Sequence, residues 1–187
     1  SLRAVLEHRA GFAAWKPLFQ LRQPGGANRA SATPGPALDA VVHAVMAALP
    51  VVEPTYSDLG PIVLAALFEA LAGPHWHGLT GEQLHPAPAV TAPTEHRLEL
   101  GRMLRGEVHD DNAFALTVGH PNRLAGHAGL FATALDTARL AEKAIALTPP
   151  RPPNATTRFH WGWDTPTGPA TTAGTGAPPD AIGHLGF

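Results

Sequence analysis

The chain has 187 residues, 44% of them hydrophobic and 15% charged, the length and apolar content of one domain with a core. Lys plus Arg number 13 and Asp plus Glu 15, a net charge of −2, so no basic excess exists to neutralise phosphates and nucleic acid is excluded as a partner. The absence of cysteine removes disulfides, thiol catalysis and Cys-based zinc sites, and no apolar run approaches the ~18 residues of a membrane-spanning helix.

The N-terminus has no basic-then-apolar leader pattern and opens directly on a helix-like run, Ser1-Leu2-Arg3-Ala4-Val5-Leu6. From this we expect further sequence upstream. A short helix is predicted over residues 1–9, ending near Gly11. Residues 22–36 cluster Gly, Pro, Ser and Asn and are predicted as loop. Leu38, Val41, Val42, Val45 and Leu49 then recur at helical spacing, with Asp39 and His43 on the other face and Pro36 and Pro50 at the ends.

The next helix has its own start and stop signals. Asp58 is placed to cap it, Leu59, Ile62, Val63, Ala66, Leu67 and Leu71 form its apolar face, and Gly73 is placed to end it in a left-handed conformation. Residues 74–93 are Pro- and His-rich loop, and 94–105 are predicted as a further helix. Residues 106–132 show no helical period. Thr133 and Asp136 make a capping-box-like start to a helix running to about Leu147, which Pro149 and Pro150 stop. Phe159, Trp161 and Trp163 alternate with His160 and Gly162 as in a strand, residues 164–181 are loop, and 181–187 look like a strand cut short. Helices first and strand fragments last predict an α+β chain, one partial domain over 1–187, mainly helical over 1–150 and strand-containing over 158–187. Two isolated strands make no stable sheet, so the remaining strands are expected outside this chain.

Four segments carry residues with chemistry. Tyr56-Ser57-Asp58 puts a phenol just before a helix N-terminus, where the dipole favours negative charge and a phenol loses its proton more readily. The plainer alternative is that Ser57 and Asp58 cap and Tyr56 packs. His184-Leu185-Gly186 puts a cation-capable residue one step from a glycine on a strand, which suits a ligand carboxylate and close backbone approach. An exposed His on an ordinary strand is the alternative. His109, Asp110 and Asp111 are neighbours in sequence, and neighbouring residues rarely point at one ion, so they read as a hydrogen-bonding loop and no metal is expected. Gly126 and Gly129 permit close backbone approach, and His127 near them reads as a packed, hydrogen-bonded residue.

The order of these segments carries more than any one of them. Val5-Leu6-Glu7-His8-Arg9-Ala10-Gly11-Phe12 resembles the LLxHxSGL segment of β-lactamase-related serine hydrolases, with Ala10 in place of the usual Ser. Tyr56-Ser57-Asp58-Leu59-Gly60 resembles their second motif, YSDLG. Ala92-Pro93-Thr94-Glu95, then 106–113 (GEVHDDNA), then Gly126-His127-Ala128-Gly129-Leu130-Phe131 look like the APTE, GxVHDxNA and GHAGLF series of an esterase or D-Ala carboxypeptidase-like branch. Gly183-His184-Leu185-Gly186-Phe187 is similar to the third motif, with His where others have the Lys of K-T-G.

The resemblance implies a β-lactamase/transpeptidase-like fold, of which this chain holds mostly the helical part plus partial sheet strands. It also implies a serine acyl hydrolase acting through an acyl-enzyme on a β-lactam, D-alanyl peptide or ester, with a small-molecule or peptidoglycan-like acyl substrate and no cofactor. By matching motif, Tyr56 becomes the general acid/base, Asp58 takes the place of the usual Asn, and His184 and Gly186 line the substrate strand. A periplasmic or extracellular setting is the family's; a cytoplasmic one stays open, and nothing sets an oligomeric state. The serines are Ser1, Ser31 and Ser57, and three positions on stand Ala4, Pro34 and Gly60, so the chain contains no S-x-x-K nucleophile motif. The alternatives are a degenerate homologue that binds such ligands without turnover and a helical interaction module.

Overall fold

The computed structural model describes residues 1–21, 36–47, 53, 55–73, 92–120, 123–167 and 176–184. Among them are five α-helices and two small two-stranded sheets, a mixed α+β arrangement. The helices are α1 (Leu2–Leu6), α2 (Leu38–Met46), α3 (Leu59–Ala72), α4 (Asp111–Thr117) and α5 (Ala134–Leu147). The sheets are the antiparallel pairs β1 (Pro93–Arg97) with β2 (Arg102–Arg105), and β3 (Phe159–His160) with β4 (Trp163–Asp164).

One apolar cluster joins three of these helices with a 3-10 turn and a loop. Leu18 from a 3-10 turn, Val41 and Val45 of α2, Leu59 and Ile62 of α3, Ala113 and Leu116 of α4, and Ala125 pack together. Each fully buried Leu or Val contributes about 1.5–3 kcal/mol through removal of apolar surface from water. Helix α5 has no buried residue and lies at the surface, fastened at its end to the second hairpin. There Trp163 Nε1 donates to Thr148 Oγ1 at 2.9 Å, and His160 Nε2 lies 2.7 Å from the Pro149 carbonyl.

Asn112 ties α4 to the distant start of the chain. Its Nδ2 donates to the Lys16 carbonyl at 2.8 Å, and its Oδ1 accepts from the Phe19 backbone N–H at 3.0 Å. Both groups belong to a segment with little regular structure, whose backbone would otherwise go unpaired on burial.

The predicted helices near 2–6, 38–46, 59–72 and 134–147 are present. Thr133 caps α5 by accepting from the Asp136 N–H, and its hydroxyl also donates to the Asp136 carboxylate. Four predictions are corrected. Residues 159–163 are not one strand but parts of the β3–β4 hairpin, because Trp161 and Gly162, both at positive φ, form its turn. Residues 94–105 form the β1–β2 hairpin and not a helix. Gly101, at φ 61 in the left-handed region, turns the chain, and Leu98 is 81% exposed, so its apolar side chain packs on nothing. Residues 111–117 are helical although 106–132 show no period in sequence, because the helix is short and Asp110 starts it by accepting from the Ala113 N–H. Asp58 stands at the N-cap of α3 but makes no cap hydrogen bond; its φ of −72° and ψ of −23° are already helical. Ser57 takes over, its Oγ accepting from the Leu59 N–H at 3.1 Å. Gly73 does have positive φ, 61°, but with ψ of −153°, outside the left-handed helical well and open almost only to glycine.

The loop expected over 22–36 lies almost wholly outside the described residues, as do Leu49 and Pro50, residues 74–91 and residues 185–187. The predicted last strand reaches the described region at Gly183, which pairs antiparallel with Asp164 through bonds of 2.8 and 3.0 Å and so lies along β4.

Two predictions follow from this packing. A Cβ built on Gly126 (φ 90) meets the Pro61 carbonyl oxygen at 2.2 Å, whereas one on Gly129 (φ 95) meets nothing closer than 3.7 Å. Both alanine variants bear the same backbone strain, so urea unfolding should find Gly126→Ala about 1–3 kcal/mol less stable than Gly129→Ala. Asn112→Ala leaves a donor and an acceptor of half-buried residues unpaired and should cost about 1–3 kcal/mol. Asn112→Asp keeps the Phe19 bond but sets a carboxylate against the Lys16 carbonyl, so it should unfold more easily at neutral pH and regain stability on acidification.

Candidate functional site

Ser57 fixes the segment that carries Tyr56. Its hydroxyl donates to the Ala13 carbonyl at 2.6 Å, and its N–H donates to His8 Nδ1 at 3.0 Å. Accepting at Nδ1 makes His8 the neutral tautomer with its proton on Nε2. Burial lowers the His8 pKa, and the nearby His184 and Arg158 lower it further. His8 sits at φ 53, a left-handed conformation that His tolerates better than most residues. The turn aims its ring at Tyr56 and Phe159, each with a centroid separation of 4.5 Å.

The short second hairpin supplies the opposite wall. His160 pairs with Trp163, leaving Trp161 and Gly162 as a two-residue turn at φ 51 and φ 93. Positive φ at both positions is the backbone of a type I′ hairpin turn. It brings Gly162 to the Leu6 side chain, 3.6 Å from the position of an added Cβ, and Trp161 under the Arg3 guanidinium at 5.4 Å. Arg158 grips Asp164 with two bonds of 2.8 and 2.9 Å and lies over the Phe159 ring.

Between these walls is a cavity of about 380 Å³. Its lining includes His8, Tyr56, Leu64, Phe68, Gly126 and His184. Tyr56 and His184, far apart in sequence, therefore meet at one cavity. Asp58 does not line it. Burial raises the pKa of its carboxyl group, the His127 charge opposes the rise and the Asp110 charge adds to it. Gly186 lies outside the described residues.

Tyr56 is 45% exposed. Burial raises the pKa of its phenol, the Asp58 charge raises it further, and Arg158 acts the other way. The sequence leads one to expect a phenol eased toward ionisation by the helix dipole. In the structure the shift runs the other way, through burial first and the carboxylate two residues on second, so Tyr56 holds its proton at neutral pH.

Serine chemistry is absent from the described part of this cavity. The Ser57 hydroxyl is buried and spent on Ala13 and Leu59, and Ser1 Oγ accepts from the Ala4 N–H as the cap of α1. Ser31 lies outside the described residues. Sequence reasoning did not single out His8 as a site residue. Its only signal is its place in the segment resembling LLxHxSGL.

The described residues hold no group of three or more His, Asp or Glu side chains arranged for a metal ion, and no helix long and apolar enough to cross a membrane. Asp110 instead caps α4 and lies 3.0 Å from His127 Nε2. No family model, no curated protein and no solved structure matches this chain.

Tyr56 is the only tyrosine, so its ionisation can be followed directly by near-ultraviolet absorbance. We expect a midpoint above the ordinary phenol value of 10.0. Asp58→Asn should lower it and Arg158→Gln should raise it; movement in the reverse directions would contradict the electrostatics described.

Proposed function

We propose that this chain is part of a serine acyl hydrolase of the β-lactamase and penicillin-binding-protein kind, with a β-lactamase/transpeptidase-like fold. The single observation that carries the proposal is the convergence of Tyr56 and His184 on one cavity, reinforced by the ordered run of motif-like segments. Tyr56 serves as the proton carrier of acyl transfer, giving a proton to the leaving group. His184 and, by motif, Gly186 form the strand edge along which the substrate's carboxylate and backbone lie. Asp58 acts on Tyr56 through its charge rather than by touching the substrate. No S-x-x-K motif stands in these 187 residues, so the reading assigns the nucleophile to none of them. β-Lactams, D-alanyl peptides and esters all suit this chemistry, since each presents an acyl carbonyl with a leaving group that needs a proton.

A second reading, binding of peptidoglycan-like or acyl ligands without turnover, is favoured for the chain by itself because its described serine hydroxyls are engaged. The chain alone should therefore turn over neither a chromogenic ester nor a chromogenic cephalosporin. Turnover that persists after Tyr56→Phe would sink the assignment. A longer gene product with S-x-x-K ahead of Ser1 should be labelled covalently by a fluorescent penicillin or an activated ester. Tyr56→Phe in that product should slow labelling by about 10²-fold or more. Complete failure to label would favour the non-catalytic reading.

A further inference from the structure

Two cavities meet at the second hairpin. Beside the one that holds Tyr56 lies another, of about 600 Å³, and the two share Gly162 and His184 in their linings. That volume is within the ~300–1,000 Å³ usual for small-molecule sites. Trp161 and Trp163 of the hairpin face Leu147, Thr148 and Pro149 at the end of α5 across it. Leu147 is 84% exposed, apolar surface that a ligand in this cavity covers. Trp161 is held at the junction by its turn position, at φ 51, and by the Arg3 guanidinium over its ring. Gly162, the next residue, puts no side chain between the two cavities. A Cβ there would stand 3.6 Å from Leu6, on the wall of the Tyr56 cavity.

The polar groups on the α5 side of this second cavity are spent inside the chain. The Thr148 hydroxyl donates to the Ala144 carbonyl at 2.7 Å and accepts from Trp163 Nε1 at 2.9 Å. Pro149 has no N–H, and its carbonyl lies 2.7 Å from His160 Nε2. A peptide laid along this wall strips water from its own amides and meets groups already engaged, which costs it binding. An apolar chain carries no such penalty, and each CH2 it buries adds to affinity. Aromatic faces suit it as well, since Trp offers a large apolar surface once its N–H is bonded.

We propose that the second cavity is the subsite for the apolar acyl chain of an ester substrate: the ester carbonyl lies beside Tyr56, and the chain runs past Gly162 and His184 onto Trp161, Trp163 and Leu147. Among β-lactams, D-alanyl peptides and esters, this selects esters of straight-chain acids. The assignment rests on the functional reading in taking the Tyr56 cavity as the reacting end. Binding is measured without turnover, however. A longer product that fails to label sinks the hydrolase reading and leaves the subsite standing, and the reverse result is equally separable.

The tryptophans make the test direct. The full chain is labelled with fluorotryptophan, its Trp161 and Trp163 signals are assigned by Trp161→Phe and Trp163→Phe, and methyl butanoate, hexanoate and octanoate are titrated against it by ¹⁹F NMR. Both signals should shift while that of Trp15 stays in place, and Kd should fall about three- to fourfold for each added CH2. Leu147→Asp sets a charge on the exposed rim, where it threatens no core packing. It should weaken octanoate binding about tenfold and flatten the dependence on chain length. Leu135→Asp, at the other end of α5 and also exposed, should change neither. N-acetyl-D-alanyl-D-alanine should leave the Trp161 and Trp163 signals where they are. An affinity that does not grow with chain length in the unaltered protein would overturn the proposal whether or not the variants fold. So would octanoate binding that is untouched by Leu147→Asp or equally weakened by Leu135→Asp, or a dipeptide that moves both signals.

Discussion

Asp110 ties together three separate parts of the described structure. One oxygen of its carboxylate accepts from the Ala113 N–H and starts α4, and the same oxygen lies 3.0 Å from His127 Nε2. Burial works against its charge, but those two contacts more than compensate and hold its pKa below the usual carboxylate value. The helix it starts carries Asn112, which secures residues 16–19, and Ala113 and Leu116, which complete the apolar cluster. The loop it holds carries Gly126, packed on α3. A single carboxylate thus couples the start of the chain, the central helix and the loop behind the cavity. Short helices need this arrangement, because a helix of two turns has too few internal hydrogen bonds to persist without caps and tertiary contacts.

The cavity is built differently from the core. Its walls come from two conformations that side chains normally avoid, His8 at φ 53 and Trp161 at φ 51. Such conformations persist only where their surroundings hold them. Here the Ser57 N–H holds His8, and the hairpin pairing together with the Arg3 guanidinium holds Trp161. The aromatic group of His8, Tyr56 and Phe159 that results is the bridge between the helical part and the second hairpin.

Legibility in the sequence tracked the range of the interaction. Helices α2, α3 and α5 were readable because their signals are local: apolar residues at helical spacing, Pro at the ends, Thr133 three residues before Asp136. Helix α4 was not readable, since seven residues give no period and its stability comes from Asn112 reaching back to Lys16 and Phe19. The segment 94–105 misled because Leu98, Leu100, Met103 and Leu104 fall at spacings a helix also uses. Which of them is buried, Leu104, is decided by strand pairing and by the turn at Gly101. At the site, Tyr56 and His184 were named from sequence. Asp58 holds the N-cap position without a side-chain cap bond because its backbone is already helical and Ser57 caps instead, a choice between neighbours that capping propensity alone does not make.

The charges around Tyr56 constrain what it can do. A phenol that serves as a base must give up its proton first, which cations nearby would assist. Arg158 is such a cation, but its bidentate bond to Asp164 spends much of its field there. His8 accepts at Nδ1 and has a lowered pKa, so near neutrality it adds no positive charge beside the phenol. Burial, and after it the Asp58 charge, are left as the main influences, and both favour the protonated phenol. Near neutrality the phenol therefore keeps its proton, and the transfer open to it is donation into the cavity, which is the step the proposed function asks of Tyr56.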